Sequence, residues 1–189
     1  MEQEVTVLSA KELKDICYFM PTPKSPHGCD VDPTGEYIIG SGKLAALIPV
    51  HSFSKMLKAI EHKEFAGEYD GIPILKYEST LHGEVQKPGL GPLHTEFDGK
   101  GNAYTSMFVS SEVVKWDIKS LKVLDRQPTF YSTGHLMVCG GDTAKPFGKY
   151  LVAYNKITKD RFLPTGPELA QSAQLFDISG DKMKLLLDF

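Results

Sequence analysis

Three histidines stand at matching places in the chain. His94, in Gly89-Leu90-Gly91-Pro92-Leu93-His94-Thr95-Glu96-Phe97, sits just ahead of the turn Asp98-Gly99-Lys100-Gly101, which leads into Ala103-Tyr104. Pro26-His27-Gly28-Cys29-Asp30 runs through Asp32-Pro33-Thr34-Gly35 into Tyr37-Ile38-Ile39. Gly134-His135-Leu136-Met137-Val138 runs through Lys145-Pro146-Phe147-Gly148 into Tyr150-Leu151-Val152-Ala153. A single histidine beside a turn is ordinarily a surface or capping residue. Recurrence at the entry of three imperfect repeats places His27, His94 and His135 at one end of the repeat axis, where they are candidates for a shared site. Neutral imidazoles converging from different strands are suited to holding transition metals, copper among them. Each ligand histidine needs its second ring nitrogen held, and Asp30, Glu96 and Asp98 are the nearest carboxylates in sequence. His51, His62 and His82 match no ligand pattern.

The elements that position these residues read as short strands. Tyr37–Gly42 and Leu44–Val50 are rich in Ile, Leu and Val and separated by a turn. Ser52 or Ser54 then caps a short surface helix over Lys55–His62, with Met56, Leu57 and Ile60 at helical spacing and His62 turned to solvent. Residues 67–90, punctuated by Gly and Pro, read as a long connection with irregular strands. Ala103–Val109 and Val113–Ile118 form a hairpin with Trp116 in the core, and Asp125–Thr133 leads extended into His135. Tyr150–Asn155, Gln174–Ile178 and Met183–Leu187 complete the set. Cys29 and Cys139 read as small buried residues.

Composition narrows the partners. A net charge of −3 leaves no basic footprint for nucleic acid. No apolar run reaches the roughly 18 residues of a membrane-spanning helix. Met1-Glu2-Gln3-Glu4-Val5 has no basic region followed by an apolar one, so no export signal is expected in this chain. Three cysteines without CxxC spacing argue against a disulfide framework or a cysteine zinc site.

His27 and His94 are 67 residues apart, and His94 and His135 are 41 apart. The endings Trp116-Asp117-Ile118 and Phe176-Asp177-Ile178 repeat as well. Units of roughly 40–50 residues built from about four short strands are the mark of a β-propeller. Three blades do not close a ring, so the expectation is an all-β chain forming part of a larger propeller. Residues 1–17 are expected to be a polar segment or the end of a preceding blade, and 18–189 the partial propeller.

Several strings carry a resemblance to a known family. They are Ser25-Pro26-His27-Gly28, Gly89 to Tyr104, Gly134-His135-Leu136 and Leu151-Val152-Ala153-Tyr154-Asn155-Lys156. Lys159-Asp160-Arg161-Phe162-Leu163-Pro164 and Phe176 to Leu185 follow in order. Together, from about residue 18 onward, they resemble the propeller domain of nitrous oxide reductase. The resemblance implies about three blades of a seven-bladed propeller. It also implies an enzyme that reduces nitrous oxide to dinitrogen and water with two electrons and two protons.

In that family seven histidines hold a sulfide-bridged tetranuclear copper cluster, and a cupredoxin-like domain outside this stretch holds a dinuclear copper centre. His27, His94 and His135 fall on three of the seven. Lys156 by itself reads as part of a charged loop, but the resemblance puts it beside the open edge of the cluster, where substrate is thought to bind. Asp30 becomes a candidate for calcium, which the family carries near its blades, although a plain turn aspartate would look the same. The implied partners are nitrous oxide and an electron donor such as a cytochrome c or a cupredoxin, in a periplasmic or cell-envelope homodimer. This chain alone is expected to be inactive. A non-catalytic propeller for protein binding is the alternative, and it would not place histidine at each inner entry. A copper-storage module would cluster its methionines and cysteines near the histidines, whereas the six methionines are scattered.

Overall fold

The computed structural model describes residues 4–13, 15–156 and 172–189. The strand-and-turn repeats become three four-stranded antiparallel sheets, with a small two-stranded ribbon beside the first. In chain order the first sheet holds β1 (Pro26–Val31), β2 (Tyr37–Gly42) and β3 (Leu47–Ser52). Helix α1 (Phe53–Glu61) follows, then the ribbon β4 (Phe65–Tyr69) and β5 (Ile72–Leu75), and the single turn α2 (Tyr77–Thr80). β6 (Leu81–Gln86) completes the sheet as β1-β2-β3-β6.

The second sheet is β7 (Pro92–Phe97), β8 (Asn102–Met107), β9 (Glu112–Asp117) and β10 (Val123–Pro128), paired in sequence order. The third is β11 (Thr133–Val138), β12 (Tyr150–Asn155), β13 (Ser172–Asp177) and β14 (Lys184–Asp188). The strands that open the sheets, β1, β7 and β11, pack side by side. This is the arrangement of propeller blades about an axis, with the opening strands innermost.

The middle blade shows why these sequences form sheets. Side chains alternate between the two faces of a strand, so a blade buried on both faces needs apolar residues at odd and even positions alike. On one face Ala103, Met107, Val114 and Trp116 pack against Ile39, Ile48, Val50 and Val85 of the first blade. On the other, Tyr104 and Val113 pack against Leu136, Leu151, Ala153 and Phe176 of the third. Trp116 is completely buried, as expected, and its indole N–H donates to Thr105 Oγ1 at 2.9 Å.

Lys115, alone among charged residues in this strand, crosses to the third blade and donates to the carbonyls of Gly180 and Asp181. The outward side of the third blade is apolar but uncovered, with Tyr150, Tyr154, Leu185, Leu186 and Leu187 exposed.

Two expectations need correction. Residues 67–90, expected as a long connection with irregular strands, hold the end of β4, β5 and the outer strand β6, and so belong to the blade more than to a connection. Likewise Val123–Pro128 is the paired outer strand of the second blade, not an extended lead-in. The helix falls where expected: Ser52 is its N-cap, with its hydroxyl accepting from Lys55 N–H, and His62 is its exposed C-cap. Phe19 forms a parallel bridge to Ile74 and so ties the segment before β1 to the ribbon.

Candidate metal centre

Each histidine sits in a break of register on its inner strand. In β1 the pairing with β2 is regular except between Pro26 and Cys29, which bracket His27. In β7 the irregularity lies between Pro92 and Thr95, around His94, and in β11 between Thr133 and Leu136, around His135. A bulge bends the strand and re-aims a side chain. The same bulge in three blades turns three imidazoles into one group. The His27 and His94 rings meet edge to face with centroids 4.9 Å apart, and the His94 and His135 rings stack at 4.3 Å.

A bulge leaves backbone groups without ladder partners, and serines from the second strands of the first two blades fill the need. Ser41 Oγ accepts from Gly28 N–H and donates to Gly28 C=O. Ser106, at the equivalent place in the second blade, accepts from His94 N–H at 3.2 Å and donates to Gly134 C=O at 2.6 Å. The buried Ser106 hydroxyl therefore joins the backbones of two histidine strands. Its replacement by alanine strands two buried groups and is expected to cost about 1–3 kcal/mol, read as a lowered urea midpoint. An unchanged midpoint would show that these bonds do not hold the bulges.

The electrostatics favour the neutral form of two of the imidazoles, His94 and His27. Burial, then the cationic forms of His135 and His27 and the Lys156 ammonium, lower the His94 pKa to about 4, against a small opposing effect of Asp142. The His27 pKa is lowered by burial first, then by Lys156, His135 and Lys43. Neutral imidazole is the form that binds metal.

His94 Nε2 is buried with no hydrogen-bond partner, an orphan donor site of the kind a metal would satisfy. His51 Nε2 is equally orphaned, but His51 lies inside the first blade, where its ring meets Tyr77 edge to face and its Nδ1 pairs with Thr80 Oγ1. The donor set at His94 fits copper. As the rings stand, however, no group of three His, Cys, Asp or Glu side chains among the described residues is arranged to hold a metal ion.

The carboxylates do not take the part expected of them. Asp30 accepts from Thr95 N–H at 2.8 Å, tying the first blade to the second. Glu96 accepts from Val138 N–H at 3.4 Å, tying the second to the third. Asp98 organises its own hairpin through Lys100, Asn102 and Tyr104. None of these bonds reaches a histidine ring. Cys29 and Cys139 are exposed, not buried. They lie two and four residues beyond His27 and His135, and strand periodicity gives them the same exposure as those histidines.

Burial, chiefly, with Asp142 nearby, raises the carboxyl of Asp30 to about 6 and that of Glu96 to about 7, the latter also through Asp30. Such groups bind more protons folded than unfolded between their two pKa values. Stability therefore falls as pH rises from about 4 to about 7 and levels off above. Glu96→Gln, which keeps an acceptor for Val138, is expected to stabilise the chain at pH 8 by roughly 1–3 kcal/mol and to do little at pH 4. Thermal melts at both pH values check this, and an equal effect at both would remove the titration from the explanation.

Lys156 directly follows β12 and is exposed, with its ammonium 5.7 Å from the centroid of the Phe108 ring. Asn155 beside it is buried in a network with Thr133, Ser172 and Gln174, which fixes the strand end from which Lys156 departs. The Lys159–Pro164 string lies outside the described residues. The serines were missed by sequence reasoning. Their signal is positional, a Ser one residue before the partner of the inner-strand start, in Gly40-Ser41-Gly42 and Thr105-Ser106-Met107.

Geometry of this kind defines a segment of a β-propeller whose inner strands carry histidines at one end. Comparison agrees at the level of fold. A chain in the crystal structure of the mitotic checkpoint complex superposes with a TM-score of 0.57 at 6% identity, covering 87% of this chain and 39% of that one. In sequence, residues 126–189 match the nitrous oxide reductase propeller repeat. The chain is 39% identical over 180 residues to the nitrous-oxide reductase of Stutzerimonas stutzeri, covering 90% of this chain and 26% of that protein. It is 40% identical over 181 residues to that of Cupriavidus necator, with the same coverage. The resemblance to the nitrous oxide reductase propeller therefore holds over nearly the whole chain, and the chain spans about a quarter of the length of these relatives.

Proposed function

We propose that residues 18–189 are the central part of the propeller of a copper enzyme that reduces nitrous oxide to dinitrogen and water. The observation that carries this reading is the bulge at each of His27, His94 and His135, which gathers three imidazoles from three blades. These three would supply part of the ligand set of a sulfide-bridged tetranuclear copper cluster, with the other ligands coming from the rest of a full-length protein. The cluster, when bound, supplies the electrons that the inert substrate accepts. Lys156 Nζ, at the edge of the group, would give a hydrogen bond or proton to the departing oxygen.

Asp30 is retained as the candidate for calcium. A cation there would offset the burial, and secondarily the nearby Asp142, that raise its carboxyl. By the same family reading, the electron donor is a cytochrome c or a cupredoxin acting through a dinuclear copper centre elsewhere. The full-length protein would work as a periplasmic or cell-envelope homodimer.

The test is a chimaera in which residues 18–189 replace the matching quarter of the Stutzerimonas stutzeri enzyme. Nitrous oxide reduction is expected to survive the exchange and to vanish with Lys156→Met. A chimaera that folds and loads copper but does not reduce nitrous oxide would contradict the proposal.

A further inference from the structure

The second residue of each inner strand is His27, Leu93 and Gly134, and the third blade alone has no side chain there. The backbone does not demand a glycine at 134, because its φ lies outside the left-handed region that side chains avoid. What the glycine provides is space, and Lys156 fills it. A β-carbon built on Gly134 would lie 2.5 Å from Cε of Lys156 and 3.3 Å from its Cδ and Cγ. The lysine stem therefore lies along the backbone of β11, over the residue just before His135.

Both ends of this crossing are defined. The Lys156 N–H donates to Ser132 C=O at 3.1 Å, which fixes where the stem begins. The ammonium ends 5.7 Å from the ring centroid of Phe108 in the second blade, near enough to the histidine group to depress His27. Gly134 is buried, and its C=O accepts from Ser106 Oγ at 2.6 Å. Lys156 is exposed at the end of a flexible chain. A side chain at 134 would thus displace the lysine and leave the strand in place.

We infer that Gly134 is a positioning residue for Lys156: its missing side chain is the trough in which the lysine stem lies, holding the ammonium at the inner edge of the histidine group. Even a methyl group at 134 would swing the stem toward solvent. A misplacement of about 1 Å at a group acting on a reacting atom can cost about a hundredfold in rate. The effect on turnover rests on the role proposed above for Lys156, whereas the placement itself requires no copper.

The test begins with NMR on the full chain, where a nuclear Overhauser contact is expected between the Lys156 ε-methylene and the Gly134 α-protons. This contact needs no variant, so it stands whether or not Gly134→Ala folds. Gly134→Ala should lose the contact and keep its melting midpoint. In the chimaera the same change should lower kcat about tenfold to a hundredfold, with KM and copper content unchanged, as expected of a group that acts on the departing oxygen alone. Absence of the contact in the unaltered chain would overturn the inference. So would full turnover of the Gly134→Ala chimaera alongside an inactive Lys156→Met chimaera, or a fall in melting midpoint or copper content in place of the kcat effect. If the unaltered chimaera is inactive, the proposed function falls, and the NMR contact still decides where the lysine lies.

Discussion

The chain carrying His94→Ala is expected to bind cuprous ion about a hundredfold or more weakly than the unaltered chain while remaining folded. His94 is the middle ring of the three, touching His27 on one side and His135 on the other. Without it the outer imidazoles lose the ring that joins them. Loss of a group that only orients a ligand already costs about ten- to a hundredfold in affinity, so loss of the central donor belongs at or beyond the top of that range. The structural cost is small by comparison, because the ring is half-buried and its Nε2 makes no hydrogen bond that the mutation would break. Competition with a cuprous chelator measures the effect. His62→Ala, on the exposed helix end, is the control and should leave affinity unchanged. Equal loss in both variants would mean that copper is bound by scattered surface imidazoles.

Gly28→Ala should have the largest effect on the fold. A β-carbon at residue 28 would lie 1.8 Å from the carbonyl oxygen of Leu93 and 2.9 Å from its carbonyl carbon. Both are backbone atoms of β7, so no side-chain rotation relieves the clash and the first two blades must separate. Overpacking of this kind costs about 3 kcal/mol or more. Separation would also pull Asp30 from Thr95 N–H and His27 from His94. A large fall in the urea midpoint together with weakened copper binding is the expected result. Gly35 offers a contrast: its φ is +76° but nothing lies within 4 Å of its added β-carbon. Gly35→Ala should cost only about 1 kcal/mol. If Gly28→Ala proved as mild as Gly35→Ala, β1 and β7 would not be seated against each other as described.

Much of this arrangement was legible in the residues, for reasons that differ by element. The strands β2, β8 and β9 could be read because buried apolar residues fall on both of their faces, and β12 because buried residues alternate with exposed ones between turns. The outer strands could not. Leu81-His82-Gly83-Glu84-Val85-Gln86 buries only Val85 and passes for a polar connection. Val123–Pro128 has no residue fully buried and ends in proline, which an edge strand tolerates.

The histidines were found by recurrence, but the bulges that aim them were not. A bulge is an excess residue measured against a partner strand, and that count exists only once the pairing is known. The same holds for Ser41 and Ser106, whose hydroxyls answer a backbone need that arises from the bulge. Asp30, Glu96 and Asp98 were assigned to the histidine rings by proximity in sequence. The alternation of strand side chains sends them to neighbouring blades and to a hairpin instead. Cys29 and Cys139 were misjudged because their residue type argued for burial while their register with His27 and His135 argued against it.

The measurement that bears most directly on the shared site is X-ray absorption at the copper edge on the full chain loaded with cuprous ion. The prediction is nitrogen coordination with the outer-shell scattering of imidazole, lost when His27, His94 and His135 are all changed to alanine. Sulfur coordination from the exposed Cys29 and Cys139, or an imidazole signal that survives the triple substitution, would contradict it.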